Sequence, residues 1–143
     1  MDDLQARNQA LITEFRAARA RGEEPLPGRP VLILTTTGAK SGRAHTTPMM
    51  YVPDGDRLLV VASNAGAPKH PDWYINLVHN PQVTVEVGPD TFTTNAEVLA
   101  GEERQRWWET ISAAYPFFVD HQAKVTRLIP LVALPRQAAV APR

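Results

Sequence analysis

Three β-favouring runs follow one another between Val31 and Ser63, separated only by a loop and a tight turn. Val31–Thr37 is continuous and rich in β-branched residues, which predicts a central strand. Gly38–Gly42 is a loop, His45–Val52 a second strand, and Pro53-Asp54-Gly55-Asp56 a turn with glycine where a positive φ is usually needed. Arg57–Ser63 returns as a third strand. Spacers this short leave no room for a crossover helix, so the neighbours should be antiparallel. The second half repeats the pattern. Gln82–Val87 alternates Val83, Val85 and Val87 on one face, Gly88-Pro89-Asp90 turns, Thr91–Leu99 follows, and Ile129–Leu134 closes the set. That makes about six antiparallel strands in an α+β, mainly β fold, arranged as a meander or small barrel with helices inserted.

The helices are expected at Asp2–Ala20, with Leu4, Leu11, Ile12 and Phe15 on one face, and at Asp72–His79 after Pro71. Two more are expected at Gly101–Tyr115, with Trp107, Ile111 and Ala114 on one face, and at Phe117–Lys124. Arg21–Pro30 is broken by Gly22, Pro25, Pro27, Gly28 and Pro30 and reads as a linker. The organisation is therefore residues 1–30 as helix and linker, 31–135 as the main domain and 136–143 as a flexible tail. The N-terminal helix reads mainly as packing, with a cap over a ligand site as the alternative.

Composition removes several function classes. The 143 residues suit one core, and 15 Lys plus Arg balance 15 Asp plus Glu, which argues against a nucleic-acid partner. With 0 Cys there is no disulfide, zinc-thiolate site, iron–sulfur cluster or thiol nucleophile. The 4 His show no ligand spacing, so no metal is expected. No run is long enough for an integral membrane segment and no signal pattern opens the chain, so a cytoplasmic protein is expected, with peripheral membrane contact and a homodimer left open.

Three segments carry candidate chemistry. Thr35-Thr-Thr-Gly-Ala-Lys-Ser-Gly-Arg43 joins two strands through two glycines, Lys40 and Arg43, the makings of an anion cradle or of a solvated hairpin loop. Its glycine spacing is not that of a P-loop. Ala62-Ser-Asn-Ala-Gly-Ala-Pro-Lys-His-Pro-Asp-Trp-Tyr74 runs from a strand end through small residues to a helix start, with Lys69 and His70 as cationic donors. Two basic loops at strand ends suggest one shared anionic ligand; Trp73 and Tyr74 read more as packing residues. Tyr115-Pro-Phe-Phe-Val-Asp-His121 could line an apolar pocket or contribute to the core.

The order and spacing of these motifs, with Thr47-Pro48, Asp54-Gly-Asp56, Asn76-Leu77, Asn80-Pro81, Val83-Thr-Val-Glu86, Tyr115-Pro116 and Ile129-Pro130, resemble the deazaflavin-dependent nitroreductase family of actinobacteria. The resemblance runs from Val31 to Leu134. It implies a split β-barrel like that of the flavin-binding pyridoxamine-phosphate oxidases, and coenzyme F420, a 5-deazaflavin with a phosphate and an oligoglutamate tail. It implies that Lys40, Ser41 and Gly42 hold the phosphate and tail, with Arg43, His45 and Lys69 adding charge. It further implies that Thr47, Pro48, Ala62, Ser63 and Trp73 border the ring, and that Met50, Tyr115, Phe118 and His121 border the substrate. Relatives often carry Arg at the positions of Ala39 and His45; an imidazole titrates near neutrality, so tail binding here should depend on pH.

The expected activity is hydride transfer from reduced F420 to an electron-poor small molecule: a quinone, an activated enone or lactone, or a nitroaromatic. Candidate proton donors are Tyr115, Ser63 and His121, with solvent as the rival. FMN is the alternative cofactor, and a non-catalytic F420 carrier the alternative function.

Overall fold

The computed structural model describes residues 3–136, with Asp3 and Leu4 as backbone only. Of the expected tail, 136–143, residues 137–143 lie outside the described residues, while Arg136 is held to the domain by its N–H on Asp56 O (2.7 Å) and by an ion pair with Asp90. Four helices, one short 3-10 turn and eight strands are present among them. In chain order these are α1 (Asp3–Ala20), β1 (Val31–Thr37), β2 (Ala44–Met50), β3 (Val52–Asp54), β4 (Arg57–Val61), the 3-10 turn Asn64–Gly66, α2 (Asp72–His79), β5 (Gln82–Val87), β6 (Asp90–Asn95), β7 (Glu97–Val98), α3 (Gly101–Ala114), α4 (Phe117–Ala123) and β8 (Leu131–Pro135).

The strands form two four-stranded antiparallel sheets, ordered β2-β1-β5-β6 and β3-β4-β8-β7. There are eight strands rather than six because two of the expected runs change sheets. The run through Val52 changes sheets after Tyr51, whose N–H to Pro30 O (2.9 Å) is the last rung of the β1–β2 ladder. The run from Asp90 changes sheets after Ala96, whose N–H to Pro81 O (2.8 Å) is the last rung of the β5–β6 ladder. Such corners let one strand serve two sheets.

Side-chain alternation sorts the apolar residues into three clusters. Leu32 and Leu34 of β1, Val83, Val85 and Val87 of β5, Leu58 and Val60 of β4, and Val132 and Leu134 of β8 share one cluster with Trp73 and Leu77 of α2. The opposite face of the second sheet presents Leu59, Leu131 and Ala133 to Ile111 of α3 and Phe118 of α4. The opposite face of the first sheet presents Ile33 to Ile12 and Phe15 of α1 and to Leu26 of the linker. The continuous apolar runs of β1 and β4 are thereby explained: both faces of each strand are covered.

Glu86, paired with Ile33 across β5 and β1, is a carboxylate on the face that α1 covers. Arg16 meets it with Nε at 3.1 Å and Nη2 at 2.7 Å, and Arg19 Nη1 adds a contact at 3.2 Å. The helix is therefore fixed in place by charge as well as by apolar packing. In α3 the buried face runs through Arg104 and Ile111, while Ala114 is exposed. Arg104 Nη2 donates to Ile129 O (2.6 Å), and its guanidinium lies 4.9 Å from the Trp108 ring.

Candidate active site

The β1–β2 hairpin carries the first basic loop. Gly38 N–H donates to Arg43 O (2.8 Å) and Gly42 N–H to Gly38 O (3.0 Å), closing the turn. Gly42 has a φ of 71°, a conformation in which side-chain-bearing residues are strained. Arg43 N–H donates to Ser41 Oγ (3.1 Å). At Gly38 a Cβ would fall 2.5 Å from Ser41 Oγ and 2.8 Å from the His45 ring, so only glycine leaves these two side chains their places. Lys40, Ser41, Gly42, Arg43 and His45 are all exposed. Arg16, Arg19, Arg57 and Arg136 each pair with a carboxylate, whereas Lys40, Arg43 and Lys69 enter no ion pair among the described residues. Their charge faces solvent.

A buried amide ties this loop to α2. Asn76 Oδ1 accepts from Ala39 N–H (3.0 Å), and Asn76 Nδ2 donates to Thr36 Oγ1 (3.1 Å). The two motif segments, far apart in sequence, thus share one wall.

The second loop leaves β4 at Ala62 and passes through three successive residues with positive φ: Asn64 (51°), Ala65 (54°) and Gly66 (80°). At Gly66 a Cβ would meet Lys124 Cδ at 3.0 Å and His121 Cα at 3.3 Å, so α4 presses on the loop from one side. From another side comes Arg127. Its Nε donates to Ala67 O (3.2 Å), Nη1 to Ala62 O (3.3 Å) and Nη2 to Ser63 O (2.8 Å). Nη1 also lies 3.0 Å from His70 Nδ1. His70 is not the cationic donor expected. Burial, and next the Arg127 charge, hold its pKa below the usual imidazole value, so its Nδ1 accepts from Arg127. Its ring packs on Tyr74, centroids 4.7 Å apart. Lys69 remains exposed, and its carbonyl accepts from Asn64 Nδ2 (3.0 Å).

His45, Thr47 and Trp73 line one groove of about 440 Å³, together with Thr46 and Asp72. Its other wall is α1, through Gln5, Asn8, Gln9 and Ile12. The N-terminal helix thus both packs on the sheet and borders this groove. Ala62 joins Trp73 in the first core cluster, and Pro48 stands opposite Ile33 in β2. A larger hollow beside Arg16, Arg19 and Pro89 includes none of the candidate residues.

The aromatic segment gathers as expected, with one correction. Met50 and Tyr115 pack on the cluster that contains Phe118, and His121 lies edge-on to Phe118 at 5.9 Å. Phe118 itself is only 4% exposed, enclosed by a cluster that includes Leu59, Ile111 and Leu131. It is a core side chain, because α4 lies flat on the covered face of the second sheet; it is not an open pocket wall. His121 is half-buried, and its Nδ1 is buried with no hydrogen-bond partner among the described residues. Asn76 as a tie and Arg127 as a clamp were not foreseen; each acts across a long sequence separation that local patterns do not report.

Residues 7–135 match the family model described as F420H(2)-dependent quinone reductase. The chain belongs to this family. An F420H(2)-dependent quinone reductase of Mycobacterium tuberculosis H37Rv is 36% identical over 127 residues, covering 86% of this chain and 85% of that protein. Among solved structures, an F420-H2 dependent reductase, FDR-A, is 43% identical with a TM-score of 0.67, over 74% of this chain and 94% of that one. Another, described as a domain-swapped dimer, has the same identity and TM-score over 80% of its own chain. A Listeria innocua protein described as a candidate pyridoxamine 5'-phosphate oxidase shares the fold at 19% identity, with a TM-score of 0.53 over 89% of this chain and 94% of its own. In this quinone reductase family the resemblance drawn from the motifs finds its place, with a quinone as the named acceptor.

Proposed function

We propose that this protein is an F420H2-dependent quinone reductase. The observation that carries the reading is the family match across residues 7–135. The donor set fits the cofactor: Lys40, Arg43 and Lys69 carry charge with no protein carboxylate to neutralise it, on two loops, the first tied by Asn76 to the helix that the second leads into. A phosphate and an oligoglutamate tail are the anions such a surface would hold. Bound F420H2 supplies the hydride; the protein supplies placement and charge. Lys40, Ser41 and Gly42 hold the phosphate and tail, with Arg43 and His45 beside them. Thr47, Pro48, Ser63 and Trp73 border the ring, on the walls formed by β2, the β4 end and α2; Ala62, wholly buried with its N–H on Pro130 O and its carbonyl on Arg127, backs this wall from the core. Met50, Tyr115 and His121 border the acceptor, in front of the Phe118 core.

Quinone reduction to the hydroquinone takes one hydride and one proton. The proton comes from one of Tyr115, Ser63 and His121 or from solvent. The two sheets are read as a split β-barrel and the chain as a homodimer; analytical ultracentrifugation tests the second. No helix among the described residues is long and apolar enough to cross a membrane. We place the protein in the cytoplasm, in peripheral contact with the membrane.

The deciding experiment titrates the purified chain with F420 and, separately, FMN, then mixes it with F420H2 and a panel of quinones, enones and nitroaromatics. Saturable F420 binding with fastest turnover on quinones is expected. FMN binding without F420 binding overturns the reading, and F420 binding without turnover on any acceptor leaves a carrier.

A further inference from the structure

We propose that Arg127 is a positioning residue for the hydride-transfer site, setting the Ala62–Ala67 loop against which the cofactor ring is held; the inference rests on the F420 reading above. Its side chain reaches back some sixty residues and fastens three carbonyls of one loop, Ala62, Ser63 and Ala67, with one planar group. The spread of these acceptors suits the guanidinium fork and not the single point donor of lysine. Arg127 enters no ion pair among the described residues; the network is completed by neutral His70 at 3.0 Å. The whole charge is thus spent on backbone shape.

That shape is one a free chain avoids. Asn64 and Ala65 hold positive φ without being glycine, and such residues persist where their surroundings over-determine them. Ser63 in the right-handed region (φ −78°, ψ −27°), followed by Asn64 in the left-handed one, is the backbone sequence that turns successive N–H groups to one side. Gly66 N–H and Ala67 N–H close the turn on Ser63 O and Asn64 O (2.9 Å each), so with the carbonyls of Ala62, Ser63 and Ala67 drawn to Arg127 it is the amides of Ser63, Asn64 and Ala65 that are left to meet the carbonyl-bearing edge of a flavin-like ring. Gly66 against His121 and Lys124 places this same loop beside the residues assigned to the acceptor. Arg127 therefore acts on the spacing between donor and acceptor without touching either, and a small misplacement there is costly to the chemical step.

The test compares R127K and R127Q with the wild-type chain in melting temperature, F420 affinity, the absorbance spectrum of bound F420, and the single-turnover oxidation of F420H2 by a quinone. R127K should fold, yet bind F420 about 10-fold more weakly, the scale of one charged hydrogen bond lost. Its single-turnover rate should fall more than its quinone KM rises, and its bound-cofactor spectrum should move toward that of free F420. If R127K and R127Q lose melting temperature alone, with binding, spectrum and turnover intact, the proposal is overturned. Should R127Q fail to fold, R127K decides. Should the wild-type chain bind no F420, the functional reading has failed separately, and amide hydrogen exchange at Ser63–Gly66 decides for Arg127: unchanged protection in R127K overturns it.

Discussion

Replacing Asn76 by Ala removes both hydrogen bonds that join α2 to the first basic loop. Thr36 is 1% exposed and Asn76 6%, so water cannot easily replace the lost partner of the Thr36 hydroxyl. The Ala39 N–H is only half-buried and recovers some hydration. A buried polar group without a partner costs about 1–3 kcal/mol. One full and one partial loss give about 2–3 kcal/mol, or about 5–10 °C in melting temperature for a chain of this size. Circular dichroism melts read that loss, and a fluorescence titration reads F420 affinity in parallel. Because Ala39 N–H fixes the loop beside Lys40, affinity should fall too. Lys40→Ala makes the informative partner: Lys40 is exposed and unpaired, so its loss should weaken F420 binding while stability stays within about 0.5 kcal/mol of the wild-type chain. An Asn76→Ala variant that melts like the parent, or that binds F420 with undiminished affinity, would refute the reasoning that α2 sets the position of the cradle.

Three further outcomes follow from the same geometry. Phe118→Ala should cost about 3–5 kcal/mol in urea unfolding, as expected of a core aromatic; intact stability with a selective loss of acceptor turnover would return Phe118 to the pocket wall. His70 has a folded pKa below its unfolded value near 6.5, so the unfolded chain binds the extra proton. Its contribution to stability is complete above that pH and is lost as pH falls through the folded value. The difference in stability between the parent and His70→Gln should therefore shrink on acidification, and a constant difference from pH 7.5 to 5 would exclude this role. Lys40→Ala should weaken F420 binding more than Lys69→Ala; equal effects of the two lysines would remove the first loop as the main cradle.

Local signals were sufficient for most of the elements. The β-branched run at Val31, the Asp54-Gly55 turn and the valine alternation at Val83 each report a strand or turn within a few residues, and all three are found. The two sheet changes were hidden because Tyr51 and Ala96 sit inside β-favouring stretches: each run keeps to the first-sheet ladder up to that residue and pairs with β4 or β8 from the next one, which only the folded chain reveals. The gathering of Lys40, Arg43 and His45 at one exposed hairpin was legible because charge and glycine cluster in one short stretch. Asn76, Arg127 and Glu86 were not. A single Asn, Arg or Glu in sequence carries no mark of its partner, and each here finds that partner only after the chain has folded back on itself. Phe118 misled for a related reason: three aromatics around Pro116 suit a pocket or a core equally, and only the sheet beneath α4 decides.

The order β3-β4-β8-β7 has a consequence for how the chain reaches this fold. β8, the last described element, is an interior strand, paired on one side with β4 and on the other with β7. Until it arrives, β4 has an open edge and the second cluster lacks Leu131 and Ala133. During synthesis the first sheet can be assembled while the ribosome still works, but the second stays incomplete until nearly all of the described residues have emerged. The waiting edge of β4 is an apolar template open to wrong pairing. Folding of this protein should therefore finish late and in one step, and a truncation before Leu131 should yield aggregate rather than a smaller folded domain.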